Sequence, residues 1–181
     1  IIAYKVDIII IDNASTDKTQ NYLKEISKKN KHVKLCLNVF NKGYSAGNND
    51  GIKISSGKYI VLLNNDTLVP KGWLNPLIAH LSKKNVGLVG PLTNSAGNEQ
   101  NINLKGLRED NYEKIIQSYL SKHHNEIHET QRLGFFCVAT KREVLNKVGY
   151  LDERYGIGMF EDDDFCIRVL KKKYSIIIAE D

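Results

Sequence analysis

Val6-Asp7-Ile8-Ile9-Ile10-Ile11-Asp12-Asn13-Ala14-Ser15-Thr16-Asp17 sets an apolar, largely β-branched run directly against a cluster of short polar residues. The run from Val6 to Ile11 fits a strand buried on both faces, as in parallel sheets. The polar cluster reads as a turn, and a helix through about Lys29 follows, with Tyr22, Leu23 and Ile26 at helical spacing. The alternation continues. Val33 to Val39 reads as a strand, Asn41-Lys42-Gly43 as a turn, and Ser45 to Ile54 as a helix ended at Ser56-Gly57. Tyr59 to Leu63 is a third strand, closing in Asn64-Asn65-Asp66. Trp73, Leu74, Leu77, Ile78 and Leu81 mark an amphipathic helix, and Val86 to Val89 another strand. Strand and helix in turn predict an α/β fold: a mostly parallel sheet flanked by helices, in a single domain.

Beyond Pro91 the character changes. Residues 91–110 are polar and Asn/Gly-rich and read as a long functional loop. Tyr112, Ile115, Ile116, Tyr119 and Leu120 space an amphipathic helix. Gly134 to Thr140 reads as a strand, Lys141 to Lys147 as a short helix, and Gly149 to Gly158 as a loop. An acidic run then opens a helix through about Lys172, and Ile176 to Ala179 is a closing strand. The expected organisation is one domain over 1–181 in two halves, 1–90 and 91–181.

The 181 residues suffice for a sizeable core, and the composition is globular: 41% hydrophobic, 26% charged, three prolines. A net charge of +5 suits an anionic ligand or an anionic membrane face, and equally an ordinary solvated surface. Basic residues are not interleaved with aromatics, so no nucleic-acid partner is expected. Cys36, Cys137 and Cys166 lie among apolar residues without metal spacing and read as reduced, buried thiols in a cytoplasmic protein. No apolar run approaches a membrane span. Ile1-Ile2-Ala3-Tyr4 runs almost directly into a strand and the last strand ends abruptly, so the chain reads as a fragment of a longer polypeptide.

Acids at the carboxyl ends of buried strands stand where open α/β sheets bind ligands. Asp12 has that position after the first strand; a turn or cap role fits it equally well. Asp66 has it after the third, where one carboxylate suits Mn or Mg held together with substrate phosphates. Asn41-Lys42-Gly43-Tyr44-Ser45-Ala46-Gly47-Asn48-Asn49 offers free amides to an anion, without being a P-loop or dinucleotide fingerprint. Glu161-Asp162-Asp163-Asp164 places four carboxylates in succession at a helix start; the helix dipole explains one or two of them, not four. His123, His124 and His128 do not form HExxH and read as a solvated helix end.

In order, these segments resemble the family 2 glycosyltransferases, nearest their rhamnosyltransferase-like branch, over almost the whole chain. Ile10–Asp17 is similar to the first nucleotide-contact motif, Asn41–Asn49 to the Asn/Gly turn, and Leu63-Asn64-Asn65-Asp66-Thr67 to a DxD motif keeping only its last acid. Gly149-Tyr150-Leu151-Asp152-Glu153 resembles G-x-x-D-E, and Glu161–Arg168 resembles E-D-x-D-[LF]-x-x-R. The resemblance implies a GT-A-like fold and an inverting transfer from a nucleotide-diphosphate sugar to a hydroxyl of a glycan or lipid-linked glycan, as in polysaccharide biosynthesis. It implies donor contacts from Asp12, Asn13, Ser15, Asn41, Gly43, Asn48 and Asn65, a divalent metal (Mn or Mg) on Asp66, and Asp162 as base with Glu161 as the runner-up. It also implies a cytoplasmic place, with peripheral association at the inner membrane face. The family's first strand would precede Ile1, and a metal-site histidine would follow Asp181. A nucleotidyltransferase, and a non-catalytic nucleotide-binding or scaffold domain, are the alternative readings.

Overall fold

The structure, a computed structural model, describes residues 5–181. The expectation about Ile1-Ile2-Ala3-Tyr4 lies outside the described residues. Packing divides the chain into two compact units. One is the chain up to Lys58 with Tyr150–Glu161; the other is Tyr59–Gly149 with Asp162–Asp181.

In the first unit β1 (Ile8–Asp12) and β2 (Val33–Leu37) pair in parallel, from Ile8 opposite Val33 to Asp12 opposite Leu37. Parallel neighbours need a crossover, which α1 (Thr19–Lys29) supplies. α2 (Gly43–Ile54) packs on β1, with Gly51 facing Ile9 and Ile11. β2 is shorter than its apolar run suggests. The chain turns at Asn38, leaving Val39 and Phe40 exposed. Glu153–Tyr155 makes a single 3-10 turn capped by Asp152, whose side chain accepts from Arg154 N–H.

The second unit holds a five-stranded sheet in the order β3-β6-β4-β7-β5. These are β3 (Tyr59–Leu63), β4 (Val86–Pro91), β5 (Ile127–Thr130), β6 (Cys137–Lys141) and β7 (Ser175–Ala179). α3 (Leu74–Leu81) seals one face. Its Leu77 and Leu81 are buried against Val86, Val89, Cys137, Ala139, Ile177 and Ala179, with Trp73, Tyr59, Val61 and Phe136 around the rim. Burying a Leu, Ile or Val side chain contributes about 1.5–3 kcal/mol, so this cluster anchors the unit. α4 (Tyr112–Leu120), α5 (Arg142–Val148) and α6 (Glu161–Lys171) complete the elements.

Two expectations need correction. The α/β class holds, but the sheet is mixed rather than mostly parallel. β4–β7 and β1–β2 are parallel; β3–β6, β4–β6 and β5–β7 are antiparallel. β6 enters between β3 and β4 running against both. A fully buried strand such as Cys137-Val138-Ala139-Thr140-Lys141 carries no local mark of direction, because both ladders need the same apolar side chains. The histidine segment is not a helix end throughout. α4 stops at Leu120, and Ile127–Thr130 is an edge strand bringing His128 into β5. One apolar residue in four gave that strand no readable period.

Candidate active-site residues

In the first unit the polar turn after β1 is organised by Asp12, which is only 3% exposed. Its Oδ2 accepts from Ser15 N–H at 3.1 Å and Gln20 Nε2 at 2.9 Å. Burial pushes its carboxyl pKa up, but hydrogen bonds from Ser15, Gln20 and Ala14 outweigh that and hold it below the ordinary 3.8. Ala14 takes φ of 64° to close the turn. Asn13 is the hinge between the two motifs of this unit. It donates through Nδ2 to Gly43 carbonyl at 3.0 Å and accepts at Oδ1 from Asn38 Nδ2 at 2.9 Å. Asn41 Oδ1 accepts from Gly43 N–H at 2.9 Å, and Asn48 Nδ2 donates to Tyr44 carbonyl at 3.0 Å. Lys42 pairs with Asp50 at 2.7 Å.

Gly43 is required by two facts at once. Its φ is +82°, and a Cβ there would stand 2.0 Å from the Gly156 carbonyl oxygen. The Gly156 segment is thus pressed onto the start of α2, and Tyr44 N–H donates to Ile157 carbonyl at 2.9 Å. Buried Asn49 extends the contact: its side-chain amide bonds the Leu151 backbone at both ends and Glu153 Oε1 at 2.9 Å. Gly156, Gly158, Met159 and Phe160 all have positive φ, which is costly for the last two. Ile157, Met159 and Phe160 point outward, 73%, 73% and 62% exposed. This strained segment delivers Glu161, 7% exposed, whose Oε2 is buried without a hydrogen-bond partner among the described residues. A buried carboxylate oxygen left so is expensive and calls for a ligand, an ion or water.

In the second unit Asp66 and Asn65 follow β3 and are exposed; Asp66 makes no hydrogen bond or ion pair among the described residues. Asn64 N–H donates to Phe136 carbonyl at 2.8 Å, which holds the triplet at the strand end. A cavity of about 310 Å³ is lined by Ser95, Asn98, Arg132, Phe136, Asp162 and Asp163, among others. Asp162 Oδ1 accepts from Asp163 N–H at 2.9 Å, leaving its second oxygen unengaged among the described residues. Asp164 faces elsewhere. It binds Arg168 at 2.7 Å, and Arg168 reaches the Val148 carbonyl at 3.1 Å and lies 4.9 Å from the Phe165 ring centroid. Phe165 is core, edge-on to Phe135. The acidic motif therefore divides: Asp164 and Arg168 build, while Asp162 and Asp163 face open space.

Sequence reasoning did not single out the cavity's Asn98 and Arg132, nor Gln100 beneath them. Gln100 is fully buried, donates to Pro91 carbonyl at 2.9 Å and accepts from Gly134 N–H at 2.7 Å. It pins the 91–110 loop to β4 and to the start of the β6 segment. The Asn/Gly-rich composition of that loop was the only available signal.

The sequence profile described as "Glycosyl transferase family 2" matches residues 2–149. The chain belongs to that family. It is 27% identical over 96% of its length to an uncharacterised glycosyltransferase of Methanocaldococcus jannaschii. It is 23% identical over 94% of its length to a GalNAc(5)-diNAcBac-PP-undecaprenol β-1,3-glucosyltransferase of Campylobacter jejuni. It spans 57% and 55% of the lengths of those two relatives. Among solved structures, GalNAc-T7 with UDP, GalNAc and Mn2+ superposes with a TM-score of 0.74 at 19% identity, covering 96% of this chain and 36% of that one. The mannosyltransferase of Pyrobaculum calidifontis with GDP-Man and Mn2+ superposes at 0.69 and 17% identity, covering 97% and 46%. The fold of this family 2 chain is accordingly the GT-A type of α/β fold, mixed sheet included.

Proposed function

We propose that the whole protein transfers a sugar, with inversion, from a nucleotide-diphosphate donor to a hydroxyl of a glycan or lipid-linked glycan. The observation that carries this reading is the unengaged Asp162 carboxylate on the wall of a cavity large enough for a sugar ring. Family membership, and the UDP with GalNAc, the GDP-Man and the Mn2+ named with the two solved structures, support the donor class. The lipid-linked acceptor follows the Campylobacter relative's name.

Within this proposal Asp162 takes the acceptor proton as the hydroxyl attacks the anomeric carbon, and Glu161, buried and unpartnered, is the alternative base. Ser95 and Asn98 line the cavity, Asn98 with its amide held by Gln100 at both ends, and in this reading Ser95 meets acceptor hydroxyls. Asp12 keeps the β1 turn in shape; Asn13, Ser15, Asn41, Gly43 and Asn48 present backbone and amide groups to the nucleotide, and Asn65 to the diphosphate. Asp66 fits a Mn or Mg site, because it is an exposed oxygen ligand with no competing partner among the described residues, and a single acid leaves the remaining positions to phosphate and water. Such a cation, when bound, supplies positive charge to the leaving diphosphate. Residues 1–90 then serve the donor and 91–181 the acceptor. Among the described residues no helix is long and apolar enough to cross a membrane. A lipid-linked acceptor would be met by peripheral contact at the cytoplasmic face.

The test is a panel of nucleotide sugars with Mn2+ and the full-length protein, scored for release of nucleoside diphosphate. Acceptor-dependent release from one sugar nucleotide is the expected result. Consumption of a nucleoside triphosphate with pyrophosphate release, or nucleotide binding without turnover under every acceptor, would replace the reading.

A further inference from the structure

The three-histidine segment that the sequence dismissed converges, in the folded chain, with acids from a distant strand. α4 ends at Leu120; His123 follows it, Glu126 immediately precedes β5, and Glu180 immediately follows β7. One ligand atom each from His123, Glu126 and Glu180 lies within 4.8 Å of the others. His123 Nδ1 stands 2.6 Å from Glu126 Oε2. His128 Nδ1 stands 3.0 Å from Glu180 Oε1, and Tyr119 O–H donates to Glu180 Oε2 at 3.3 Å. Tyr119 also stacks on His123, with ring centroids 4.0 Å apart, which fixes the imidazole plane.

The ladder adds an independent observation. β5 and β7 pair antiparallel with Ile127 opposite Ala179. One step further along, Glu180 N–H donates to the Glu126 carbonyl at 3.0 Å, so these two glutamates are direct cross-strand partners. Partners in a ladder share a face, and like charges directly opposite are destabilising. The neighbouring charges make this worse. Asp181 lies next in sequence, with its carboxylate engaged by His80 Nε2 at 2.8 Å and Asn125 N–H at 2.9 Å. The groups that face these two carboxylates are the imidazoles of His123 and His128.

We propose that His123, Glu126 and Glu180 form a site for a divalent transition cation of the zinc type, outside the residues assigned to sugar transfer. One imidazole and two carboxylates are a donor set for zinc, with a fourth position left to water. His128 and Tyr119 hold Glu180 in place as outer partners, the arrangement that commonly orients metal ligands. The cation takes the place of the hydrogen bond between His123 Nδ1 and Glu126 Oε2. Its effect is structural: it joins the end of α4, the start of β5 and the end of β7 across an exposed sheet edge.

The experiment uses the chelator-stripped full-length protein at pH 7.5 without nucleotide, titrated with zinc chloride by calorimetry and followed by thermal unfolding. The Asp66→Asn variant should keep one saturable zinc equivalent. His123→Ala and Glu180→Gln should each weaken it at least tenfold, since loss even of outer partners costs 10–100-fold. Glu126→Gln separates metal from simple ion pairing. It should raise Tm in chelator, by removing the carboxylate repulsion, and lower Tm in zinc, by removing a ligand. A Tm change of the same sign in both media overturns the proposal, as does zinc affinity that His123→Ala and Glu180→Gln leave intact.

Discussion

The turn after β1 and the start of α6 both gather acids and amides, and they use them in opposite ways. Around β1 nearly every polar side chain is consumed by its own unit: Asp12 by Ser15 and Gln20, Asn13 by Gly43 and Asn38, Asn49 by Leu151 and Glu153. At α6, Asp162 keeps one oxygen unengaged beside a cavity and Glu161 keeps one buried oxygen without a partner. The lesson is that a polar cluster at a strand end does not by itself mark chemistry. Groups satisfied internally shape a backbone that presents N–H and C=O groups; groups left unsatisfied are those with something to bind or a proton to take.

The comparison is broken most directly at Asp162. Asp162→Asn in the active full-length protein should lower kcat by about 10²- to 10⁴-fold, the usual cost of losing a positioned general base, with nucleotide affinity nearly unchanged. If Glu161→Gln does this and Asp162→Asn does not, the two acids exchange roles. If neither does, the acidic run is a helix terminus only.

Gly43→Ala should fall almost as hard, but on folding. The positive φ alone costs about 1–3 kcal/mol, and the Cβ would meet the Gly156 carbonyl as well. Chemical denaturation should show the loss, together with release of the Gly156–Phe160 segment to proteolysis. A variant as stable as the parent would show that the contact between α2 and that segment is dispensable.

Asp12→Asn sharpens the claim that this acid is architectural. Charge-assisted hydrogen bonds contribute about 1.5–3 kcal/mol, so stability should fall by roughly that much at pH 7. The folded-state pKa is depressed, so the carboxylate's contribution is fully present above 3.8 and is lost as pH falls below it toward the folded value. The gap between parent and variant should therefore close on acidification through that window. A gap unchanged between pH 6 and pH 3 would refute the assignment. The effect on kcat should be small once the protein is folded.

The smallest effect concerns the thiols. All three cysteines are free; Cys137 and Cys166 are buried, and burial pushes both thiols up to about 12. Cys36 is only half-buried, which corrects the expectation that all three are enclosed. Iodoacetamide should label Cys36 alone in the native protein, with transfer unchanged. Labelling of Cys166 would mean that α6 opens.

Much of the fold was legible because it rests on short-range periodicity. Ile8–Ile11 and Tyr59–Leu63 could only be strands, although both are part-buried rather than enclosed, with Ile8 and Leu63 exposed; Leu77, Ile78 and Leu81 could only face a core. The positions of Asp12, Asp66 and Glu161 were legible for the same reason: each sits at or just beyond the end of a readable element. What stayed hidden is non-local. The antiparallel insertion of β6, the edge strand Ile127–Thr130 and the burial of Gln100 under the 91–110 loop depend on partners tens of residues away.

By itself, then, the sequence determined the order of strands and helices, the positions of the acids at their ends and the family they resemble, because local pattern dictates which residues must leave water. Only the tertiary structure decided which acids are spent. Asp12 and Asp164 are indistinguishable from Asp162 as letters in a run, and they differ only in the donors the fold brings to them. The same holds for His123, Glu126 and Glu180, which are scattered in sequence and meet because β5 and β7 share a ladder.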